Sequence, residues 1–275
     1  MLLSEYEKVA LEEIAQWEQE KHRGFHKGLL DVASKPVDFI VKKVGKRRFH
    51  AFEKSVRATL ERLLHASIQT IEASELIERA RSHGIFINSL SELESCDLKL
   101  LDTCIRKNIR FHGKAAAVQG AVAGLGGVFI AAADITALLV QDFHMIHEIA
   151  YCYGFEPNHV LEKQILLRII EAAIGGSAMK FKALGEIEVL KQLERESDED
   201  VIEPKGVPIL GAKALEELVE HVAAALLIRL IPRALPVVSS VVSAHSNLEI
   251  MEHSAETAFM VYRKRFVERK AAMPS

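Results

Sequence analysis

Residues 115–133 read AAAVQGAVAGLGGVFIAAA, and this uncharged stretch, rich in glycine and alanine, decides how the chain must fold. Asp134 follows it directly. The Gly-Leu-Gly-Gly sequence at 124–127 interrupts the stretch near its middle. The pattern predicts a helix, a tight glycine turn and a second helix over about 130–153. The apolar faces of such a pair must be covered, either by the rest of the molecule or by lipid.

A single membrane-spanning helix is not the favoured interpretation of this stretch. A span needs about 20 strongly apolar residues, but glycine and alanine contribute little transfer free energy. Asp134 would also cost about 3 kcal/mol at a bilayer centre. We therefore favour a helical hairpin buried in a large core, in which the Gly120-xxx-Gly124 spacing lets two helix backbones approach closely. The alternative is a hairpin docked on lipid beside the apolar tract 234–246.

The composition describes a chain with ample material for a core and little net charge. Its 275 residues are 49% hydrophobic and carry a net charge of −3. This balance argues against a protein held on nucleic acid by its global charge. Cys96, Cys104 and Cys152 match no metal-binding spacing and indicate reduced thiols. With no signal peptide recognised in the acidic N-terminal sequence, we expect a cytoplasmic protein that can associate peripherally with the membrane.

Helical periodicity runs through nearly the whole sequence. Ser4 and Glu7 form a capping-box pattern before a helix that ends near Lys21. Further helices are predicted from Ser34, over 48–71, from Ser89 to before Gly113, and over 130–153, 156–176, 213–231 and 247–270. Residues 194–212 are acidic, then rich in proline and glycine, and are predicted to form an exposed loop. The fold class is therefore all-α: a multi-helix single domain over 1–275 with a Gly/Ala-rich central helical hairpin.

The second half of the predicted hairpin carries the residues that could support chemistry. Asp134 must be paired, hydrated or protonated if it is buried, so Asp134 and Glu148 are candidate catalytic acids. His144, His147 and Glu148 share one helix face at i, i+3 and i+4, which makes them weak metal-ligand candidates. The alternatives are a paired structural carboxylate at Asp134 and a polar stripe on a buried helix. The order of the two histidines and the glutamate is not HExxH, and no distant third ligand is evident.

No motif for nucleophilic or nucleotide chemistry accompanies these residues. The GxSxG elbow, the phosphate-binding GxxxxGK[ST] loop and the GxGxxG fingerprint are all absent from the sequence. We therefore expect no cofactor. An enzymatic role is left undecided, with the balance of the sequence against one.

Two stretches of the sequence are strongly cationic. The first lies within 41–50 and could attract anionic lipid headgroups, each charge contributing about 1 kcal/mol near a membrane surface; a solvated loop is the alternative. The candidate lipid- or partner-binding residues are Lys42, Lys43, Lys46, Arg47 and Arg48, together with Gly120, Gly124, Gly126 and Gly127. The second stretch, YRKRFVERK at 262–270, is predicted to be a polar helix end whose cations suit the helix dipole.

Several short motifs, in order along the chain, resemble the EcsC family. They are Gly124-Leu-Gly-Gly127 with Ala133-Asp134-Ile135, then Ile149-Ala150-x-x-Tyr153-Gly154-Phe155-Glu156, and a C-terminal block of Ile231-Pro232, Pro236-Val237-Val238, Asn247, Ala258 and Tyr262-Arg263-x-Arg265-Phe266. Tyr6-Glu7, Trp17 and Lys35-Pro36 near the start are also similar. The resemblance covers nearly the whole chain and implies a bacterial, largely helical and poorly characterised protein.

The resemblance also implies a place of action. The family takes its name from a gene beside those for the ATPase and membrane subunits of an ABC transporter. We therefore predict an accessory or interaction protein near the cytoplasmic membrane. Its candidate partners are ABC transporter subunits and the anionic membrane surface, with no nucleic acid. The alternatives are a hydrolase, metal-dependent or not, centred on Asp134, His144, His147 and Glu148, and a peripheral lipid-binding module.

Overall fold

The computed structural model describes residues 3–20, 37–65, 73–82, 84–107, 109–110, 128–156, 160–196, 212–230 and 239–272. These residues form helices and connecting turns, and no strand occurs among them. The helices are α1 (Glu5–Gln19), α2 (Val37–Val44), α3 (Lys46–His65), α4 (Ala73–Ser82), a 3-10 turn (Leu90–Ser95), α5 (98–107 and 109–110), α6 (Val128–Cys152), α7 (Val160–Ile174), α8 (Ser177–Glu196), α9 (Ala212–Leu230) and α10 (Ser239–Ala272). The predicted all-α class is confirmed.

Helices α7 and α10 form the centre of the described structure. Helix α7 is apolar around most of its circumference, and its residues from Leu161 to Ile174 are buried apart from Lys163. A helix that is apolar on all sides belongs inside a core. It packs against α8, α9 and α10, and α10 in turn contacts α1, α6 and the 3-10 turn. Helix α3 packs against α2, α6 and α9 on the other side of the core.

Two of the predicted helix boundaries are confirmed in atomic detail. The Ser4 hydroxyl accepts a hydrogen bond from the Glu7 amide at 3.2 Å, and the Glu7 carboxylate accepts one from the Ser4 amide at 2.7 Å. This is the reciprocal capping box. At the end of α6, Gly154 adopts φ +74 and the Phe155 amide donates to the Ala150 carbonyl at 3.0 Å. Glycine ends α6 because only it enters this left-handed conformation without a steric penalty.

The helix predicted from Ser89 is divided in the structure. Leu90–Ser95 form a 3-10 turn, and α5 begins only after Asp97. The Asp97 carboxylate accepts hydrogen bonds from the amides of Lys99 at 2.7 Å and Leu100 at 3.3 Å. A side chain that satisfies these first amides starts a new helix. The predicted cap at Ser89 therefore belongs to a separate short turn.

The C-terminal half contains more helix than predicted. Helix α8 fills residues between the predicted 156–176 helix and the predicted loop, and it continues to Glu196, inside that loop. The rest of the loop, 197–211, lies outside the described residues, and α9 begins at Ala212. Helix α10 starts at Ser239, ahead of the predicted start at Asn247. The serines at its start therefore belong to a helix.

Only one arm of the predicted central hairpin lies among the described residues. The predicted second helix over 130–153 is α6. The first arm and the turn, 115–127, with Gly120, Gly124, Gly126 and Gly127, lie outside the described residues. None of the helices that are described is both long and apolar enough to cross a membrane. None of Cys96, Cys104 and Cys152 forms a disulfide.

Candidate functional site

The most heavily charged part of the described interior lies at the end of α10. Arg263 is buried, with 2% of its side chain exposed. Its guanidinium donates from Nη1 to Glu13 Oε2 at 2.6 Å, and its Nε lies 2.8 Å from Asp102 Oδ2. The guanidinium also lies over the rings of Tyr6 and Phe259. Arg263 therefore ties α1, α5 and α10 together.

Asp102 is the buried acid at the centre of this contact. The hydroxyl of Tyr153 donates to Oδ1 at 2.7 Å, and that of Tyr6 donates to Oδ2 at 2.8 Å. Burial raises the pKa of Asp102, although Arg263 and the two hydroxyls act in the opposite direction. Burial likewise raises the pKa of Tyr153 well above its ordinary value, so its hydroxyl keeps its proton and remains a donor. All the polar atoms of the Asp102 carboxylate are thus used internally.

Arg265, two residues further along α10, forms a second buried pair. Both terminal nitrogens of its guanidinium donate to Glu162 on α7, from Nη1 at 2.9 Å to Oε2 and from Nη2 to Oε1. Nη2 also donates to Glu194 at 2.8 Å, while the Tyr262 hydroxyl donates to Glu162 at 3.1 Å. Burial by itself would lower the pKa of Arg265, but Glu162 outweighs it and raises the pKa. A fork of this kind fixes the orientation of both helices.

The remaining cations of this helix end are also paired. Arg269 donates to the backbone carbonyl of Tyr153 at 2.7 Å and to Glu94 at 3.0 Å. The Lys264 ammonium lies 2.8 Å from carboxylate oxygens of both Glu18 and Glu188, and the Lys270 ammonium lies 2.6 Å from Glu7. We call Arg263, Lys264, Arg265, Arg269 and Lys270 the C-terminal charge cluster. The predicted polar helix end over 262–270 is present, with Arg269 and Lys270 in the last turn of α10. Its cations are also paired with acids of other elements, because this end of α10 is packed between α1, α7 and the 3-10 turn.

His147 on α6 is sealed within the core. Its ring is fully buried and packs edge-on against Phe143 at 4.3 Å between centroids. Nδ1 lies 2.7 Å from the Phe143 carbonyl, which can only accept, so Nδ1 carries the proton. Nε2 is buried without a hydrogen-bond partner in the described part of the chain. Burial lowers the pKa of His147 to about 3, which keeps the ring neutral at physiological pH.

The other candidate residues of the predicted metal or hydrolase site are His144, Glu148 and Asp134. His144 Nε2 lies 3.1 Å from Glu148 Oε1, and the Glu148 side chain is only 4% exposed. Asp134 lies on α6, and its side chain is outside the described residues. Among the described residues, no group of three His, Cys, Asp or Glu side chains is placed to hold a metal ion. His144 and Glu148 therefore contact each other. In contrast, Nδ1 of His147 carries the proton and contacts the backbone carbonyl of Phe143.

The first cationic stretch surrounds the turn between α2 and α3. Gly45 adopts φ +90 there, and its amide donates to the Val41 carbonyl at 2.8 Å. The next aromatic residue, Phe49, is buried and anchors the start of α3. We call the exposed residues Lys42, Lys46, Arg47 and Arg48 the basic turn. Lys43 lies on α2 with its side chain outside the described residues.

The basic turn differs from the C-terminal charge cluster in having no partner among the described residues. Within the described chain, none of its four side chains forms an ion pair or a hydrogen bond. Asp38 is also exposed on α2 but forms no salt bridge with Lys42 one turn later in the described structure. The positive charges of the basic turn are therefore available to a ligand or a surface.

A model of the EcsC protein family matches residues 8–267. The chain belongs to the EcsC family. Among curated proteins of Bacillus subtilis (strain 168), it is 26% identical to "Uncharacterized protein YdbA" over 261 residues, which cover 93% of this chain and 90% of that protein. It is 21% identical to "Protein EcsC" over 226 residues, covering 81% of this chain and 89% of that protein. No solved structure matches the chain.

The family motif at 262–266 was visible in the sequence, but its role was not. Tyr262, Arg263 and Arg265 are the residues whose side chains enter the buried ion pairs. Their partners lie about 70 to 250 residues earlier in the chain, which local periodicity cannot reveal. The one available signal was the pairing of cations with tyrosine and phenylalanine, which is unusual for a fully solvated helix end.

Proposed function

We propose that this EcsC-family protein is an accessory protein that docks on the anionic face of the cytoplasmic membrane and acts there with an ABC transporter. The observation that carries the docking proposal is the basic turn. Its four cations are exposed and project from a short glycine-centred connection between two helices. Cations near an anionic bilayer contribute about 1 kcal/mol each, and the attraction decays within a Debye length. Binding through the basic turn should therefore weaken as salt rises.

The interior supports an interaction role more than a catalytic one. The acids that pair with the C-terminal charge cluster are held by its guanidinium and ammonium groups, so they stabilise the packing of α10. His147 is sealed and neutral, and Glu148 is engaged by His144. The described geometry thus offers no support for a hydrolase at α6. The transporter as partner rests on the gene neighbourhood associated with the family resemblance.

Vesicle co-sedimentation tests the docking proposal. The full chain is mixed with phosphatidylcholine vesicles with or without phosphatidylglycerol, at low and at physiological salt. We expect binding that requires phosphatidylglycerol and falls with salt. The variant Lys46→Gln/Arg47→Gln/Arg48→Gln removes about 3 kcal/mol of attraction, a weakening on the order of 100-fold.

A matched variant separates the basic turn from net charge. Arg62, Lys99 and Lys107 are exposed cations on α3 and α5, and their replacement by glutamine removes the same charge. This control should retain most of the binding. Equal loss in both variants, or no binding of the wild-type protein at low salt, would overturn the docking proposal. Co-purification with the ATPase or membrane subunit of a transporter tests the partner separately, and recovery of neither subunit from native membranes would remove it.

A further inference from the structure

Helices α5 and α10 run antiparallel, since Asp102 contacts Arg263 and Arg106 contacts Phe259. At one end Asp102 and Arg263 are in direct contact, with Oδ2 and Nε 2.8 Å apart. One turn further on, the guanidinium of Arg106 lies 4.5 Å above the centroid of the Phe259 ring. Beyond this stacked pair the two helices enclose a cleft of about 290 Å³. The cleft is therefore a feature of the helix packing and is anchored at its closed end by a buried ion pair.

The walls of the cleft carry opposite charges. Arg106 and Arg110 line it from α5, while Glu252 and Glu256 line it from α10. Both pairs have i, i+4 spacing, so each pair lies on one face of its helix. Phe259 and Ile109 supply an apolar base. The cleft thus has a cationic wall, an acidic wall and a hydrophobic floor.

The opposite charges on the two walls do not form ion pairs with each other in the described structure. In the described part of the chain, neither arginine forms an ion pair with a carboxylate, and neither glutamate forms one with a cation. This contrasts with the C-terminal charge cluster, where every cation contacts an acid. Burial raises the pKa of Glu256, opposed by the charges of Lys180 and Arg106, so this carboxylate is already partly desolvated. The cleft thus presents two facing sets of opposite charges that form no ion pairs among the described residues.

We propose that the cleft between α5 and α10 binds a small zwitterion that carries an ammonium and an oxyanion. The oxyanion contacts Arg106 and Arg110, the ammonium contacts Glu252 and Glu256, and the apolar part of the ligand lies against Ile109 and Met260. Small-molecule sites usually exceed about 300 Å³, so this cleft, at the lower end of that range, matches the size of an amino acid or a phosphoethanolamine headgroup. The proposal goes beyond membrane docking and does not depend on the basic turn.

Titration calorimetry on the full chain tests the proposal with named probes. Glycerophosphoethanolamine represents a lipid headgroup, and L-leucine represents a free amino acid. Inorganic phosphate and ethanolamine supply the two charges separately. We expect at least one zwitterion to bind about tenfold more tightly than either half, because both charges are satisfied at once. Binding of only one of the two zwitterions identifies the source of the ligand and supports the proposal.

Surface variants locate the binding in the cleft. Arg110→Gln and Glu252→Gln each remove one exposed wall charge and should weaken zwitterion binding about tenfold. Their matched controls, Lys107→Gln and Glu12→Gln, alter exposed charges outside the cleft and should leave it unchanged. Ile109→Trp fills the base and should abolish binding while circular dichroism remains native.

Three results would overturn the proposal: no binding of either zwitterion, equal affinity for the zwitterions and their halves, or equal effects of cleft variants and controls. The triple glutamine variant of the basic turn distinguishes this proposal from the docking proposal. That variant should lose vesicle binding at phosphatidylglycerol membranes and keep its calorimetric affinity for the zwitterion.

Discussion

The basic turn and the C-terminal charge cluster look alike in sequence and are opposites in the structure. One reads KKVGKRR at 42–48 and the other YRKRFVERK at 262–270. The first presents its described cations to solvent without internal partners. The second buries its two central arginines, with 2% and 3% of the side chains exposed, against carboxylates from other helices. Charge density in a sequence therefore does not indicate whether the charge is available.

Helix packing explains the difference. Helix α10 is surrounded by α1, α6, α7 and the 3-10 turn, each of which directs an acid or a carbonyl at it. A buried cation is tolerated only when it is paired. The basic turn lies on a connection between α2 and α3, where water solvates the charges at little cost. Its cations therefore need no carboxylate from elsewhere in the chain.

Removal of Arg265 should give the largest effect and provides the strongest test of this comparison. Arg265→Ala leaves Glu162 buried without its guanidinium, and we expect a loss of about 3–5 kcal/mol in the free energy of unfolding. Arg265→Lys keeps the charge but not the fork, so its loss should be intermediate. Urea unfolding followed by circular dichroism measures both. A loss below about 1 kcal/mol for the alanine variant would contradict the structural role of the pair.

The buried His147 should make the free energy of unfolding depend on pH. Its pKa falls from 6.5 in the unfolded chain to about 3 in the folded one, so the unfolded chain binds the proton first as pH drops. This group's contribution to stability is present above pH 6.5 and decreases as pH falls toward about 3. The contribution lost by pH 5 is about 2 kcal/mol. His147→Leu should remove this part of the pH dependence.

The pH dependence of the free energy of unfolding measures the contribution of His147. The difference in unfolding free energy between wild type and His147→Leu should change steadily between pH 7 and about pH 5, as set by the linkage relation. Parallel curves for wild type and His147→Leu would show that the His147 ring is accessible to protons in the folded chain.

Lys180 is a buried cation paired with carbonyls, and its removal should have a smaller effect. Its ammonium donates to the Trp17 carbonyl at 2.6 Å and the Glu20 carbonyl at 3.1 Å, and it lies 4.0 Å from the centroid of the Trp17 ring. These carbonyls end α1, where a cation is favourable. Lys180→Met should cost about 1–2 kcal/mol. Thermal unfolding measures it, with the exposed Lys182→Met as control, and equal melting temperatures would contradict it.

The smallest stability effect is expected at the basic turn itself. Arg47→Ala should change the free energy of unfolding by less than about 0.5 kcal/mol, as expected for an exposed side chain without a partner. The same urea experiment measures it beside Arg265→Ala. A loss of 1 kcal/mol or more would mean that Arg47 is structurally engaged, and the contrast with the C-terminal charge cluster would fail.

Local patterns predicted the elements better than the sites. The capping box at Ser4 and the glycine end of α6 at Gly154 were correct because each depends on residues within a few positions. The helix from Ser89 was misplaced, since the competing cap at Asp97 was not recognised. The metal and hydrolase hypotheses depended on which way His147 and Glu148 point, and helix periodicity leaves open what lies opposite each face. The cleft between α5 and α10 was not anticipated for the same reason.

The sequence by itself determined that the chain is helical, where several of its helices begin and end, and which family it resembles, since these depend on periodicity, caps and short motifs. Tertiary structure alone decided which charges are buried in ion pairs and which are exposed. The reason is physical: the cost of a buried charge depends on a carboxylate placed within about 3 Å, and for Arg263 that carboxylate comes from the opposite end of the chain.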